Sequence, residues 1–222
     1  MVTDKFKKSM SKQVYLDLKE QILNSTLLPG ERLIEMTIAN EQNVSRTPVR
    51  EALKQLEQEG LVSTFLRKGS IVSKISVGTA LDMLEVRGAL ELLALKLMAE
   101  SKAEKPPMQL KHQLNIMKNS LNSEDPSDFA SAYGDWMSAI ASNSKNQPLK
   151  NMLNEADMHL LRLIPISLMS KERPLEVIDE LSEILDAVLK NDKIEIENKL
   201  RHHIERVKEE ILKNVDYRNF RK

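Results

Sequence analysis

The segment from Arg46 to Gly60 constrains the fold more than any other. Val49, Ala52, Leu53 and Leu56 fall at i, i+3, i+4 and i+7, which is one face of an amphipathic helix. Arg46, Arg50 and Lys54, spaced by four, line a neighbouring stripe. Ser45 stands where an N-cap is expected. Pro48 lies in the first turn, where its missing N–H costs little, and Gly60 ends the helix. What flanks this helix narrows the choice further. Upstream, a helix is expected over about Lys12–Asn24, with Val14, Leu16, Leu18, Ile22 and Leu23 on a broad apolar face and residues 1–10 as a frayed basic leader. Leu28-Pro29-Gly30 breaks it. A short helix over about Glu35–Gln42 and a turn at Asn43-Val44 follow. Downstream, Leu61–Phe65 and Ser70–Ser73 are short β-like runs, separated by the turn Leu66-Arg67-Lys68-Gly69. Helix, short helix, turn, helix and hairpin make a winged helix-turn-helix.

Beyond Val77 the pattern is helical throughout. Segments are expected at 78–100, 107–121, 126–143, 147–166, 174–190 and 193–215, with breaks at Pro106-Pro107, Pro126, Gln147-Pro148, Pro174 and Asn191-Asp192. The fold class is therefore mainly α: a winged helix-turn-helix over residues 1–76, then an all-α bundle over 77–222. Few aromatics, at 4%, and few glycines and prolines argue against a β-sandwich or barrel. The formal charge of zero hides an asymmetry of +3 in residues 1–76 and −3 in the remainder, which suits a nucleic-acid module joined to a different domain.

The absence of cysteine excludes disulfides, thiolate metal sites and cysteine nucleophiles. No apolar run approaches a membrane span, and the charged N-terminus lacks the apolar core of a signal peptide. The expected setting is the cytoplasm, with no membrane partner.

The start of the Arg46 helix is suited to DNA. Its dipole directs positive charge the same way as Arg46 and Thr47, and Ser, Arg and Thr there match phosphate and base-edge contacts. At the hairpin tip, Arg67 and Lys68 put two cations on a turn and Gly69 allows close approach to a backbone or minor groove. Basic residues at i, i+4 are often only a solvated helix face. Their pairing with a basic hairpin tip favours DNA.

The runs Leu28-Pro-Gly-Glu-Arg-Leu-Ile-Glu, Asn43-Val-Ser-Arg-Thr-Pro-Val-Arg-Glu-Ala-Leu, Leu56-Glu-Gln-Glu-Gly-Leu-Val and Arg67-Lys-Gly closely resemble the GntR family of bacterial transcription regulators over about residues 11–76. The resemblance implies DNA contacts by Ser45, Arg46, Thr47 and Arg50, helped by the wing. The position of Met36 is basic in some members, so one backbone contact is expected to be missing. Residues 78–215 resemble the FadR-type C-terminal (FCD) domain, through Leu84-Glu-Val-Arg-Gly-Ala-Leu-Glu, Ser144-Lys-Asn-Gln-Pro-Leu, Ile184-Leu-Asp-Ala-Val-Leu-Lys-Asn-Asp and Leu200-Arg-His-His-Ile. That resemblance implies a helical bundle that binds a small effector and dimerises.

Many such domains hold a divalent metal through one Asp and three His. Aligned on Trp136, those positions are Tyr133, Met137, Leu181 and His203 here. Met and Leu are not hard-metal ligands and neutral Tyr is a poor one, so no metal and no cofactor is expected. The resemblance places Tyr133, Met137 and His203 in the effector cavity. Arg87 shares a helical face with Met83, Leu84, Leu90 and Ala94. Such a guanidinium needs a partner. Glu91, one turn later, would supply a structural one; an anionic effector would supply a functional one. A cavity of Met, Leu, Tyr and Trp suits an amphipathic or acyl-type anion.

The function expected is an effector-controlled transcription regulator, a repressor by the commoner mode, binding a palindromic double-stranded operator as a homodimer. An enzyme is not expected: there is no P-loop, dinucleotide fingerprint, G-x-S-x-G or H-E-x-x-H. The remaining alternative is a helical ligand-binding or interaction protein without operator-specific DNA binding.

Overall fold

The computed structural model describes residues 2–23, 26–65, 69–74, 76–101, 105–123, 125 and 127–214. The chain divides into two compact units, residues 1–75 and 76–222.

The first unit is built around three helices, α1 (Val2–Leu23), α2 (Glu35–Glu41) and α3 (Arg46–Gln58), and three short strands, β1 (Arg32–Leu33), β2 (Val62–Phe65) and β3 (Gly69–Val72). Val49, Ala52, Leu53 and Leu56 of α3 are buried as their spacing predicts, and meet Val14, Leu18 and Ile22 of α1 in one core. Two expectations for α1 need correction. The helix begins at Val2, where a frayed leader is expected; no Pro or Gly interrupts Val2–Met10. Leu16 is exposed, and Tyr15 is buried in its stead. Tyr15 then donates its O–H to Glu59 Oε1 at 2.6 Å, while Lys19 Nζ donates to Glu59 Oε2 at 2.9 Å, so α1 is latched to the end of α3.

Two helix ends use the same device. After α2, Asn43 takes φ 52°, with Val44 N–H donating to the Ala39 carbonyl at 2.9 Å. After α3, Gly60 takes φ 72°, Leu61 N–H donates to the Leu56 carbonyl at 2.9 Å and Gly60 N–H to that of Glu57 at 3.0 Å. Both are Schellman turns, in which a left-handed residue lets its own N–H and the next one cap the last carbonyls. The first sets the bend of the helix-turn-helix and the second launches the wing. The wing is antiparallel, in the order β1-β3-β2, with Val62 opposite Val72 and Phe65 opposite Gly69. Strand β1, paired through Arg32 with Ile71, escaped the sequence reading because two residues show no periodicity.

The second unit comprises α4 (Val77–Glu100), α5 (Lys105–Ser120), α6 (Ser127–Asn143), α7 (Gln147–Leu160), a 3₁₀ turn at Leu161–Leu163, α8 (Ile164–Ser167), α9 (Arg173–Leu189) and α10 (Lys193–Asn214). Ser76 and Asn146 cap α4 and α7, accepting from Thr79 N–H and Leu149 N–H. The single helix expected over 147–166 is broken, because Pro165 has no N–H and its ring cannot sit against the Leu161 carbonyl. Leu95, Met98, Met117, Trp136, Ile140, Leu153 and Leu181 lie in the core. Helices α4 and α10 approach closely at Gly88, where a methyl group would collide with Ile204.

A polar seam ties α9, α10 and α6 together. Arg173 is bidentate to Glu180, two turns along α9, at 2.5 and 2.8 Å. His203 of α10 donates Nδ1–H to Glu180 Oε2 at 2.6 Å, and the Tyr133 O–H of α6 donates to His203 Nε2 at 2.7 Å. A carboxylate cannot donate, which assigns the His203 proton to Nδ1. Burial, the largest influence on Glu180, would raise its pKa, but the bonds from His203 and Arg173 outweigh it and bring it to about 2.

Replacing Gly60 with Ala is expected to lower the unfolding free energy of the first unit by about 1–2 kcal/mol in urea titration, the penalty of a left-handed residue with a Cβ. Acid is expected to loosen the second unit. Because the folded pKa of Glu180 is depressed, its contribution is present above the ordinary carboxylate range and is lost as pH falls towards 2. Thermal melts of Glu180→Gln should show lower stability at neutral pH and a flatter decline between pH 4.5 and 2.

Candidate functional sites

The outward side of α3 holds the first candidate site. Arg46, Thr47, Arg50 and Lys54 are exposed on it, beside the buried apolar face. Ser45 has the extended backbone of an N-cap, but its hydroxyl makes no capping bond. An N-cap hydroxyl accepts from the second or third N–H, and Pro48, the third residue, has none, so one of the two usual donors is missing. Arg50 Nε donates to both carboxylate oxygens of Glu35, at 2.9 and 2.8 Å. Arg46 Nη2 approaches the sulfur of the exposed Met36 at 2.7 Å. α2 therefore touches both arginines of the α3 stripe. Gly69 opens β3 at φ 80°, with open space where a Cβ would lie. Arg67 and Lys68 lie outside the described residues.

The second candidate site is buried among α4, α6, α7, α9 and α10. Arg87 is buried, and its Nε donates to Asp157 Oδ1 of α7 at 2.6 Å while its Nη1 donates to Glu91. Glu91 is thus a partner, as its spacing allows, and Asp157 is a second one that no local pattern announced. Burial would discharge the Arg87 guanidinium, but the charges of Glu91 and Asp157 outweigh it and hold the group ionised. Burial is also the largest influence on Tyr133, pushing its phenol above the ordinary value and keeping it a donor; the charges of Arg87 and Arg173 both act on it. Met137 and Leu181 are buried nearby in the chain, one turn beyond Tyr133 and one residue beyond Glu180. Three polar atoms of this cluster have no hydrogen-bond partner among the described residues, Arg87 Nη2, Arg173 Nε and Asp157 Oδ2; Trp136 Nε1 of α6 has none either.

These residues do not fit a divalent metal. Both ring nitrogens of His203 are engaged, by Tyr133 and Glu180. The α9 residue that meets His203 is Glu180, while Leu181 is 1% exposed in the apolar core. Among the described residues no group of three His, Cys, Asp or Glu is placed to hold a metal. An open cleft of about 520 Å³, lined by Leu97, Ser101 and residues 143–148, shares no residue with this cluster.

Four functional candidates escaped the sequence reading. Arg173 and Glu180 stand two turns apart on one face, among Val177, Ile178 and Leu181, and that pattern of charge in an apolar stripe was a usable signal. Asp157 lies 70 residues from Arg87 and gave none. Glu35 looked like an ordinary first-turn acid of a short helix.

No helix among the described residues is long and apolar enough to cross a membrane. Residues 10–72 match the gntR family of bacterial regulatory proteins, and residues 82–206 match the FCD domain. The uncharacterised HTH-type transcriptional regulator YdhC of Bacillus subtilis is 28% identical over 184 residues, 82% of this chain and 81% of that one. The HTH-type transcriptional repressor RspR of Escherichia coli is 23% identical over 202 residues, 91% and 89% of the two chains. Among solved structures, E. coli McbR/YncC superposes with a TM-score of 0.79 at 23% identity, covering 92% of this chain and 97% of that one. A putative GntR regulator from Rhodococcus sp. RHA1 gives a TM-score of 0.77 at 21% identity, covering 93% and 99%. The two structures share the fold; the two family matches, the second covering over half of the chain, establish that it belongs to the gntR family of bacterial regulatory proteins, in the group that carries an FCD domain.

Proposed function

We propose that this regulator is a repressor that reads a palindromic operator as a homodimer in the cytoplasm, under the control of a small effector held in its FCD domain. Residues 1–76 would serve as the DNA-binding domain, and residues 77–222 as the effector-binding and dimerisation domain. The observation that carries this reading is the split character of α3. Four apolar side chains anchor it, and Arg46, Thr47 and Arg50 stand outward at its N-terminal end. That end offers free N–H groups and positive dipole to phosphate, and the uncapped Ser45 hydroxyl adds a donor. Arg46 and Arg50 would contact bases in the major groove, and the wing residues Arg67, Lys68 and Gly69 the flanking backbone or minor groove.

The effector reading rests on the buried cluster. Its unpartnered donors, Arg87 Nη2 and Arg173 Nε, outnumber its one unpartnered acceptor, Asp157 Oδ2. An oxygen-rich anionic head would satisfy them, and Met137 and Leu181 suit an apolar body. Tyr133 and His203 would hold the boundary between the two. Effector binding would act by shifting the spacing of the two DNA-binding domains of the dimer.

Both halves are testable. With a duplex selected by the protein from a random library, Arg46→Ala should cost about 1–3 kcal/mol of discrimination against a scrambled duplex. Lys68→Ala should weaken both duplexes evenly and lower the salt slope by about one. Affinity that stays flat across salt would remove the DNA reading. In thermal shift, medium-chain carboxylates should stabilise the protein, by about 2.7 kcal/mol at a hundredfold excess over Kd, and the matching alcohols should not. Stabilisation by Zn²⁺ or Ni²⁺ that a chelator reverses would contradict this effector assignment.

A further inference from the structure

Resting on the DNA reading above, we infer that Glu35 is a positioning residue that sets the base preference of Arg50 from a different helix. Arg50 is 64% exposed on its side chain, long, and attached to the surface that would face DNA. Unanchored, such a side chain spreads over many rotamers, and holding it for one base costs entropy. Glu35, the first residue of α2, accepts from Arg50 Nε with both oxygens, at 2.8 and 2.9 Å. No bond to the two terminal nitrogens of Arg50 accompanies this pair among the described residues. The fork that reads guanine O6 and N7 is therefore left open, while the third nitrogen is tied down and the guanidinium plane is set. A carboxylate beside a DNA-facing helix repels phosphate. Its presence there weakens binding to any duplex, so it needs a compensating role, and orienting Arg50 is one that the geometry supplies.

The two effects have opposite signs, which makes the inference testable. Removing the charge should leave scrambled-duplex affinity unchanged or raised, and should lower affinity for the selected operator. A stabilising role at the start of α2 is the competing account, because an acid there also complements the helix dipole. Glu35→Asp separates the two: it keeps the charge at the helix start but withdraws it from Arg50.

The full-length wild type, Glu35→Gln, Glu35→Asp and Arg50→Ala would each select duplexes from one random library, with circular dichroism melts confirming that each is folded. The expected result is that both Glu35 variants lose base preference at the positions that Arg50→Ala loses, and keep it elsewhere. The ratio of operator to scrambled affinity should fall about tenfold for Glu35→Gln, and the Glu35→Gln/Arg50→Ala double variant should fall no further than Arg50→Ala alone. Wild-type preferences retained by both Glu35 variants would overturn this inference alone. An equal change in operator and scrambled affinity would do the same. A wild type that enriches no sequence would overturn the DNA reading and this inference with it.

Discussion

The small unit depends on the burial of one face of α3. Val49, Ala52 and Leu56 are fully enclosed and Leu53 nearly so. Apolar area of that kind supplies the main favourable term in folding, and an α-helix has only one rotation that buries all four together. With that rotation set, Arg46, Thr47 and Arg50 must face outward. The turns on either side follow the same constraint. Asn43 and Gly60 adopt left-handed backbone because α2 must end and turn within two residues, and the wing must leave α3 at once.

A second constraint shapes the larger unit: buried charges have to be paired. Arg87, Glu91, Asp157, Arg173 and Glu180 are all buried, and each is held by an opposite charge. Such pairs add little to stability over apolar side chains of similar size, because desolvation offsets the attraction. They are costly to break, however, which favours this arrangement of the helices, with Arg87 and Asp157 tying α4 to α7. The Tyr133–His203–Glu180 chain belongs to this arrangement. Tyr133 and Glu180 fill both sides of an imidazole that would otherwise be free to bind an ion.

Much of this was legible in advance, for stated reasons. The face of α3 could be read because 3.6-residue periodicity is a local property. Asn43 and Gly60 could be placed as breaks because few residues tolerate positive φ. The capping of α3 by Ser45 was misread at the hydroxyl, although Pro48, three residues on, already removed one of the two usual donors. The break in the helix after Leu160 was also written in the chain, at Pro165, but a proline near the start of a helix reads differently from one near its end.

By itself, then, the sequence determined the family, the mainly α class with its winged helix-turn-helix, and the apolar face of α3. All of these are carried by residue type and short-range spacing. Only the tertiary structure decided which charges meet. Asp157 reaches Arg87 across 70 residues, His203 joins Tyr133 across another 70, and Glu35 meets Arg50 from a separate helix. The physical reason is the same in each case. A pattern along one helix says which way a side chain points, but its partner is chosen by how the helices pack.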